Sequence, residues 1–258
     1  MTMNAMGSQS ASAQAASDHP LLEVKNLSAW YGAARILFDL DFSVQRGEVV
    51  AVMGRNGAGK STTFLSLMGM IERRSDAIRF MGQDISQSPS YRIAQMGLGF
   101  VPEDRRIFTD LTVAENLDIG RQPPRCWPDG APLHTWVTEE LYELFPALAE
   151  RKKHCAGRMS GGEQQMLAIA RTLMGNPYLL LLDEPSEGVA PVIVEQMANM
   201  ILKLKKTGVS ILLSEQNMHF ARYVSDRAYM LEKGHFAWTG SIEELAHNPD
   251  VLLKYLSI

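Results

Sequence analysis

One stretch limits the possible folds of this chain more than any other: Gly54-Arg55-Asn56-Gly57-Ala58-Gly59-Lys60-Ser61. It follows Val49 to Met53, a short apolar run of the kind that forms a buried parallel strand. It precedes Lys60 to Met70, where Phe64, Leu67 and Met68 recur at helical spacing. Strand, glycine-rich turn and helix in that order form part of a parallel α/β unit. The turn matches the full pattern of a phosphate-binding loop. Its glycines let backbone N–H groups wrap a phosphate, Lys60 supplies a point charge to the outer phosphates, and Ser61 offers a hydroxyl to Mg²⁺. A glycine-rich turn that binds nothing is the bland alternative, and the flanking strand and helix argue against it.

Composition narrows the remaining classes. The chain has 258 residues, 46% of them hydrophobic and 21% charged, enough to bury a substantial core. Its net charge is −4, and the basic pieces Arg73-Arg74, Arg151-Lys152-Lys153 and Lys203 to Lys206 are short. They read as solvated faces, so no nucleic-acid partner is expected. No apolar run approaches the roughly 20 residues of a membrane-spanning helix. Met1 to Ala16 is mostly Ala, Ser, Gln and Gly without a basic-then-apolar signal, so residues 1–19 are expected to be a disordered tail. Cys126 and Cys155 have no metal-ligand spacing and fit a reducing compartment.

Along the rest of the chain, Leu21 to Val24 and Ile36 to Val44 read as strands, as do Leu98 to Val101, Tyr178 to Leu182 and Ser210 to Ser214. Thr112 to Met174 is mostly helical in period, broken by the proline-rich loop Gln122 to Pro132. A helix is expected near Val192 to Lys206, a hairpin around Lys233-Gly234, and a helix near Ile242 to Ala246. The fold class is therefore α/β: a mixed-sheet core with an N-terminal antiparallel β part and an inserted helical subdomain at about 104–176, all within one domain of residues 20–258.

Two further segments carry chemistry. Four leucines end in Asp183-Glu184, which puts one carboxylate beside the phosphate-binding loop to hold Mg²⁺ and a second, at the rim, to polarise a water. The other is Met159-Ser160-Gly161-Gly162-Glu163-Gln164-Gln165, a glycine pair entering a helical pattern, which aims free N–H groups along a helix dipole. Two phosphate-facing elements in one small domain read as halves of two different sites.

With these motifs in this order, the chain from Leu21 onward resembles the ABC-type ATPases. The resemblance implies ATP and Mg²⁺ as cofactors, bound by Gly54 to Ser61 and Thr62. It implies that Ser160, Gly161 and Gly162 cap the γ-phosphate held by a second subunit, and that Tyr31, in Trp30-Tyr31-Gly32, stacks on adenine. Where most of the family has Gln, a Mg²⁺ contact, this chain has Glu103; where most have a switch His, it has Gln216, which donates a hydrogen bond but offers no positive charge. The loop after Pro185 lacks its usual Asp. Val101-Pro102-Glu103, Leu111 to Leu117, Met159 to Ile169 and Glu215-Gln216-Asn217 are similar to one branch, the shorter ATPase subunit of branched-chain (hydrophobic) amino acid importers. That implies two membrane permeases, a second ATPase subunit, a periplasmic solute-binding protein, and a place on the cytoplasmic face of the bacterial inner membrane; in isolation the chain is expected to be either monomeric or a homodimer. Glu103 to Asn116 would grip a permease helix. Rival readings are a lipopolysaccharide-type exporter ATPase, in which Gln and His stand at those two positions, and a weakly hydrolysing regulatory module.

Overall fold

The computed structural model describes residues 19–256. Of the expected N-terminal tail, all but His19 lies outside the described residues. The central sheet has six strands: β3 (Val49–Met53), β7 (Leu98–Val101), β8 (Leu179–Asp183), β9 (Ser210–Glu215), β10 (Arg227–Glu232) and β11 (His235–Ser241). Their order is β11-β10-β3-β9-β8-β7, parallel throughout except for the β10–β11 hairpin.

The period-2 geometry of these strands divides the core in two. Val49, Ala51, Met53, Leu180, Leu182, Ile211 and Leu213 face a layer of helices. Val50, Val52, Leu179, Leu181 and Leu212 face an antiparallel sheet and the helix α1 (Lys60–Leu67) that follows the phosphate-binding loop. Both faces are covered, which is why these strands read as unbroken apolar runs.

The antiparallel sheet contains β1 (Leu22–Tyr31), β2 (Ala34–Val44), β4 (Glu72–Arg74), β5 (Ala77–Phe80) and β6 (Gln83–Asp84). The first strand runs well past the expected Val24. Lys25-Asn26 breaks the apolar alternation, and Asn26 adopts a left-handed backbone, but pairing resumes after a register shift. The strands β4 to β6 and the helix α2 (Ser90–Gln95) are too short to announce themselves in the sequence.

Arg73 corrects the reading of its pair as a solvated face. Its guanidinium donates to the carbonyls of Ser66 and Leu67 at the end of α1 and to those of Ile85 and Ser86. A cation on the last carbonyls of a helix satisfies its orphan acceptors and opposes the dipole. The side chain is burdened by burial, which lowers its pKa.

Between β7 and β8 lie α3 (Val113–Gly120), α4 (Thr138–Leu144), α5 (Pro146–Glu150) and α6 (Gly161–Leu173). The proline-rich loop is tied back to the core. Trp127 packs on Tyr178, Arg46 lies 3.8 Å above the Trp127 ring centroid, and Arg46 pairs with Asp129 at 2.8 Å. Beyond β8, α7 (Pro191–Lys206), α8 (Met218–Val224), α9 (Ile242–Ala246) and α10 (Pro249–Leu256) complete the chain.

Candidate active site

The phosphate-binding loop leaves β3 at Gly54, where any Cβ would fall 2.4 Å from the Leu231 carbonyl. Gly57 and Gly59 take positive φ of 80° and 112°, a region open to glycine, and Gly59 caps α1 without a side chain. Ala58 and Lys60 to Thr62 lie in the turn and the first helical residues, with Lys60 and Thr62 buried. Arg55 and Asn56 form the exposed rim of the loop. The first N–H groups of α1 have no helical partner and point, with the dipole, into the turn.

Parallel pairing of β8 beside β9, and of β9 beside β3, delivers the acidic pair to this loop. Ser61 Oγ donates to Asp183 Oδ1 at 3.1 Å, and Ser214 Oγ donates to the same oxygen at 2.6 Å. The Ser214 hydroxyl also accepts the Glu184 N–H at 2.9 Å. Glu184, expected at the rim, is instead buried. Its backbone is left-handed (φ 46°), and its carboxylate lies 3.0 Å from Lys60 Nζ, with the two side chains 9% and 2% exposed. The Lys60 ammonium offsets the cost of desolvating the Glu184 carboxylate. Lys60 Nζ also donates to the Gly54 and Arg55 carbonyls at 2.7 and 3.1 Å.

Negative charge exceeds positive here. Burial pushes the Asp183 carboxyl up, against the hydrogen bonds from Ser214 and Ser61, and Glu184 and Glu103 push it further. Burial opposes ionisation of Glu184 too, but a hydrogen bond from Glu187 and the Lys60 ammonium hold it below its usual range. The Glu187 pKa is raised to about 7, first by that hydrogen bond with Glu184 and then by burial. A divalent cation fits this excess, with Ser61 and Asp183 as oxygen donors and the charge of Glu103 acting on Asp183. No three His, Cys, Asp or Glu side chains form a metal cage among the described residues, so phosphate oxygens and water would complete the coordination.

An open cleft of about 320 Å³ joins Asn56, Glu184, Ser186, Glu187, Glu215, Gln216 and Asn217. Gln216 is exposed there. Tyr31 lies elsewhere, at the end of β1, and is 47% exposed, so it is not a core aromatic. Its neighbour Trp30 is occupied by the Arg35 and Arg74 guanidinium groups.

Ser160, Gly161 and Gly162 do not line this cleft. Ser160 caps α6: its hydroxyl accepts from Glu163 N–H, and the Glu163 carboxylate accepts from Ser160 N–H at 2.8 Å. Arg151, from a basic run expected to be merely solvated, pairs with Glu163 at 2.8 Å. A Cβ on Gly161 would stand 3.0 Å from the Arg105 guanidinium, and one on Gly162 would stand 3.0 Å from Ile193.

Sequence reasoning missed Ser214, Glu215 and Glu187 as members of the site. Ser214 and Glu215 end a strand whose place beside β8 is set by sheet order, and the sequence offers no marker of that.

Residues 37–187, more than half of the chain, match the ABC transporter family. The high-affinity branched-chain amino acid transport ATP-binding protein BraG of Pseudomonas aeruginosa is 42% identical over 92% of this chain and 99% of its own length. The lipopolysaccharide export system ATP-binding protein LptB of Escherichia coli is 34% identical over 91% of this chain and 96% of its own. Among solved structures, the ADP conformation of an ATP-binding cassette of an ABC transporter superposes with a TM-score of 0.74 at 25% identity, covering 91% of this chain and 97% of that one. On this evidence the chain belongs to the ABC transporter family, as one of its ATP-binding ATPases.

Proposed function

We propose that this chain is the ATP-hydrolysing subunit of an importer of branched-chain amino acids or a related small solute. It would work with two permease subunits, a second ATPase subunit and, indirectly, a periplasmic solute-binding protein, from the cytoplasmic face of the membrane. The observation that carries the ATPase reading is the convergence of Lys60, Ser61, Asp183 and Glu184 within hydrogen-bond distance. The 42% identity to BraG over nearly its whole length supports the importer role. Glu103 and Gln216 favour it over the exporter role that LptB represents.

In this reading the N–H groups of Gly54 to Ser61, with Thr62 behind them, hold the phosphates, and Tyr31 stacks on adenine. Lys60 turns from Glu184 to the γ-phosphate, which frees the carboxylate. Glu184 then orients a water and takes its proton, while Glu187 shares the hydrogen bond. Gln216 donates to the γ-phosphate. Ser61, Asp183 and Glu103 would hold a Mg²⁺, which when bound would neutralise charge on the phosphates. Ser160, Gly161 and Gly162 reach the γ-phosphate of the facing subunit, which agrees with their distance from this chain's own cleft. Closure on two nucleotides would then drive the permeases.

Phosphate release from Mg·ATP by the full chain with its partners tests this. Glu184→Gln should lower turnover about a hundredfold or more while ATP binding persists. Native turnover in that variant would favour the regulatory-module reading.

A further inference from the structure

Glu215 stands outside every role above, yet its placement is unusual. It ends β9 as a carboxylate only 2% exposed. Burial raises its pKa, and what opposes that is hydrogen bonding from Ser186, Gln216 and Asn217 rather than a cation. One carboxylate oxygen accepts the Ser186 N–H at 3.1 Å, and the other accepts those of Gln216 and Asn217, each at 3.1 Å. Its backbone carbonyl accepts the N–H of Gly54, the first residue of the phosphate-binding loop, at 3.3 Å.

A buried carboxylate without a cation is tolerated only when enough N–H groups converge on it. Here the donors come from two loops. Ser186 belongs to the segment directly behind Glu184, and Gln216 is the residue facing the cleft. If either loop withdraws, the oxygen it served is left buried and unmatched. The two loops are thereby stable in these positions only together.

We infer that Glu215 is a positioning residue: its carboxylate binds the loop behind Glu184 and the loop bearing Gln216 into one unit, so that the water-polarising and phosphate-sensing groups take their places together. This rests on the ATPase reading of the site. Gln at this position has one acceptor oxygen instead of two and turns an N–H₂ toward an N–H, so it can serve one loop but not both.

The test compares the native full chain with Glu215→Gln, Gln216→Ala and the double variant. Losing one of the buried acceptors should lower kcat about tenfold and weaken Mg·ATP binding, while Mg·ADP affinity stays within about twofold. The double variant should be slower than Gln216→Ala alone but faster than two additive losses would make it, because Glu215 acts partly through the Gln216 loop and partly through the loop behind Glu184. Amide exchange at Ser186 should accelerate. Additive losses, native turnover, or ADP affinity falling in step with ATP affinity would overturn the inference. If Glu215→Gln does not fold, Glu215→Asp, which keeps both oxygens on a shorter stem, enters the same cycle with the same non-additive result expected. Glu184→Gln separates the two levels. Turnover that survives there refutes the ATPase reading and this role with it; turnover lost there but native in Glu215→Gln refutes this role alone.

Discussion

Lys60→Met offers a measurement of how tightly the resting site is held. The substitution removes the ammonium 3.0 Å from Glu184 and leaves that carboxylate buried near Asp183 and Glu187. The carboxylate must then stay charged without a cation or take up a proton. Protonation sets the ceiling. From the ordinary value of 4.5, each pH unit costs about 1.4 kcal/mol, so the ceiling is about 4 kcal/mol at pH 7.5 and about 1.4 kcal/mol at pH 5.5. Breaking buried pairs by removing one partner typically costs about 3–5 kcal/mol, so at pH 7.5 the loss should come close to that ceiling. In thermal terms it is a drop of about 10 °C for a domain of this size. Urea unfolding of the nucleotide-free full chain at both pH values reads it as a shift in midpoint at constant slope. Adding Glu184→Gln should recover most of the loss, since both charges are then gone. A loss under about 1 kcal/mol at pH 7.5, the size expected of an exposed pair, would refute the reasoning. So would a loss that does not change with pH.

Two other substitutions probe the surroundings. Glu187 has a folded pKa of about 7 against an ordinary 4.5, so the stability it contributes is complete below 4.5 and disappears as pH rises through 7. Glu187→Gln keeps a hydrogen-bond donor at every pH, and it should flatten the decline in unfolding midpoint between about pH 5 and 8. Asn176→Ala removes the acceptor of the Trp136 N–H (2.9 Å) and the donors to the Gln122 and Pro123 carbonyls (3.0 and 3.2 Å), at a left-handed position. About 2–3 kcal/mol should be lost, with limited proteolysis moving to the loop between Gln122 and Trp136.

The legible parts of the sequence were those with a strong local signal. Buried strands such as Val49–Met53 and Leu179–Asp183 are apolar on both faces, and the helix Pro191–Lys206 is long and amphipathic. The short strands between Glu72 and Asp84 are two to four residues long, too short for a period to show, even though Ala77, Ile78 and Phe80 are buried in the core. Glu184 was expected at the rim because its neighbour Asp183 ends a buried strand, and alternation puts the next side chain on the other side. The left-handed turn at Glu184 cancels that alternation.

By itself the sequence determined that a phosphate chain can be bound, since Gly54 to Ser61 forms its receptor from adjacent residues whose backbone freedom and charge are local properties. It also carried the acidic pair, the glycine pair after Ser160 and the family resemblance. Only the tertiary structure decided how those pieces engage. Sheet order brings β9 between β3 and β8, so Ser214 and Glu215 reach residues they are remote from in the chain. The Lys60–Glu184 pair, the coupling of Glu184 to Glu187, and the separation of Ser160 from its own chain's cleft depend on that order. Desolvation and hydrogen-bond geometry are properties of the packed site, and no residue has them alone.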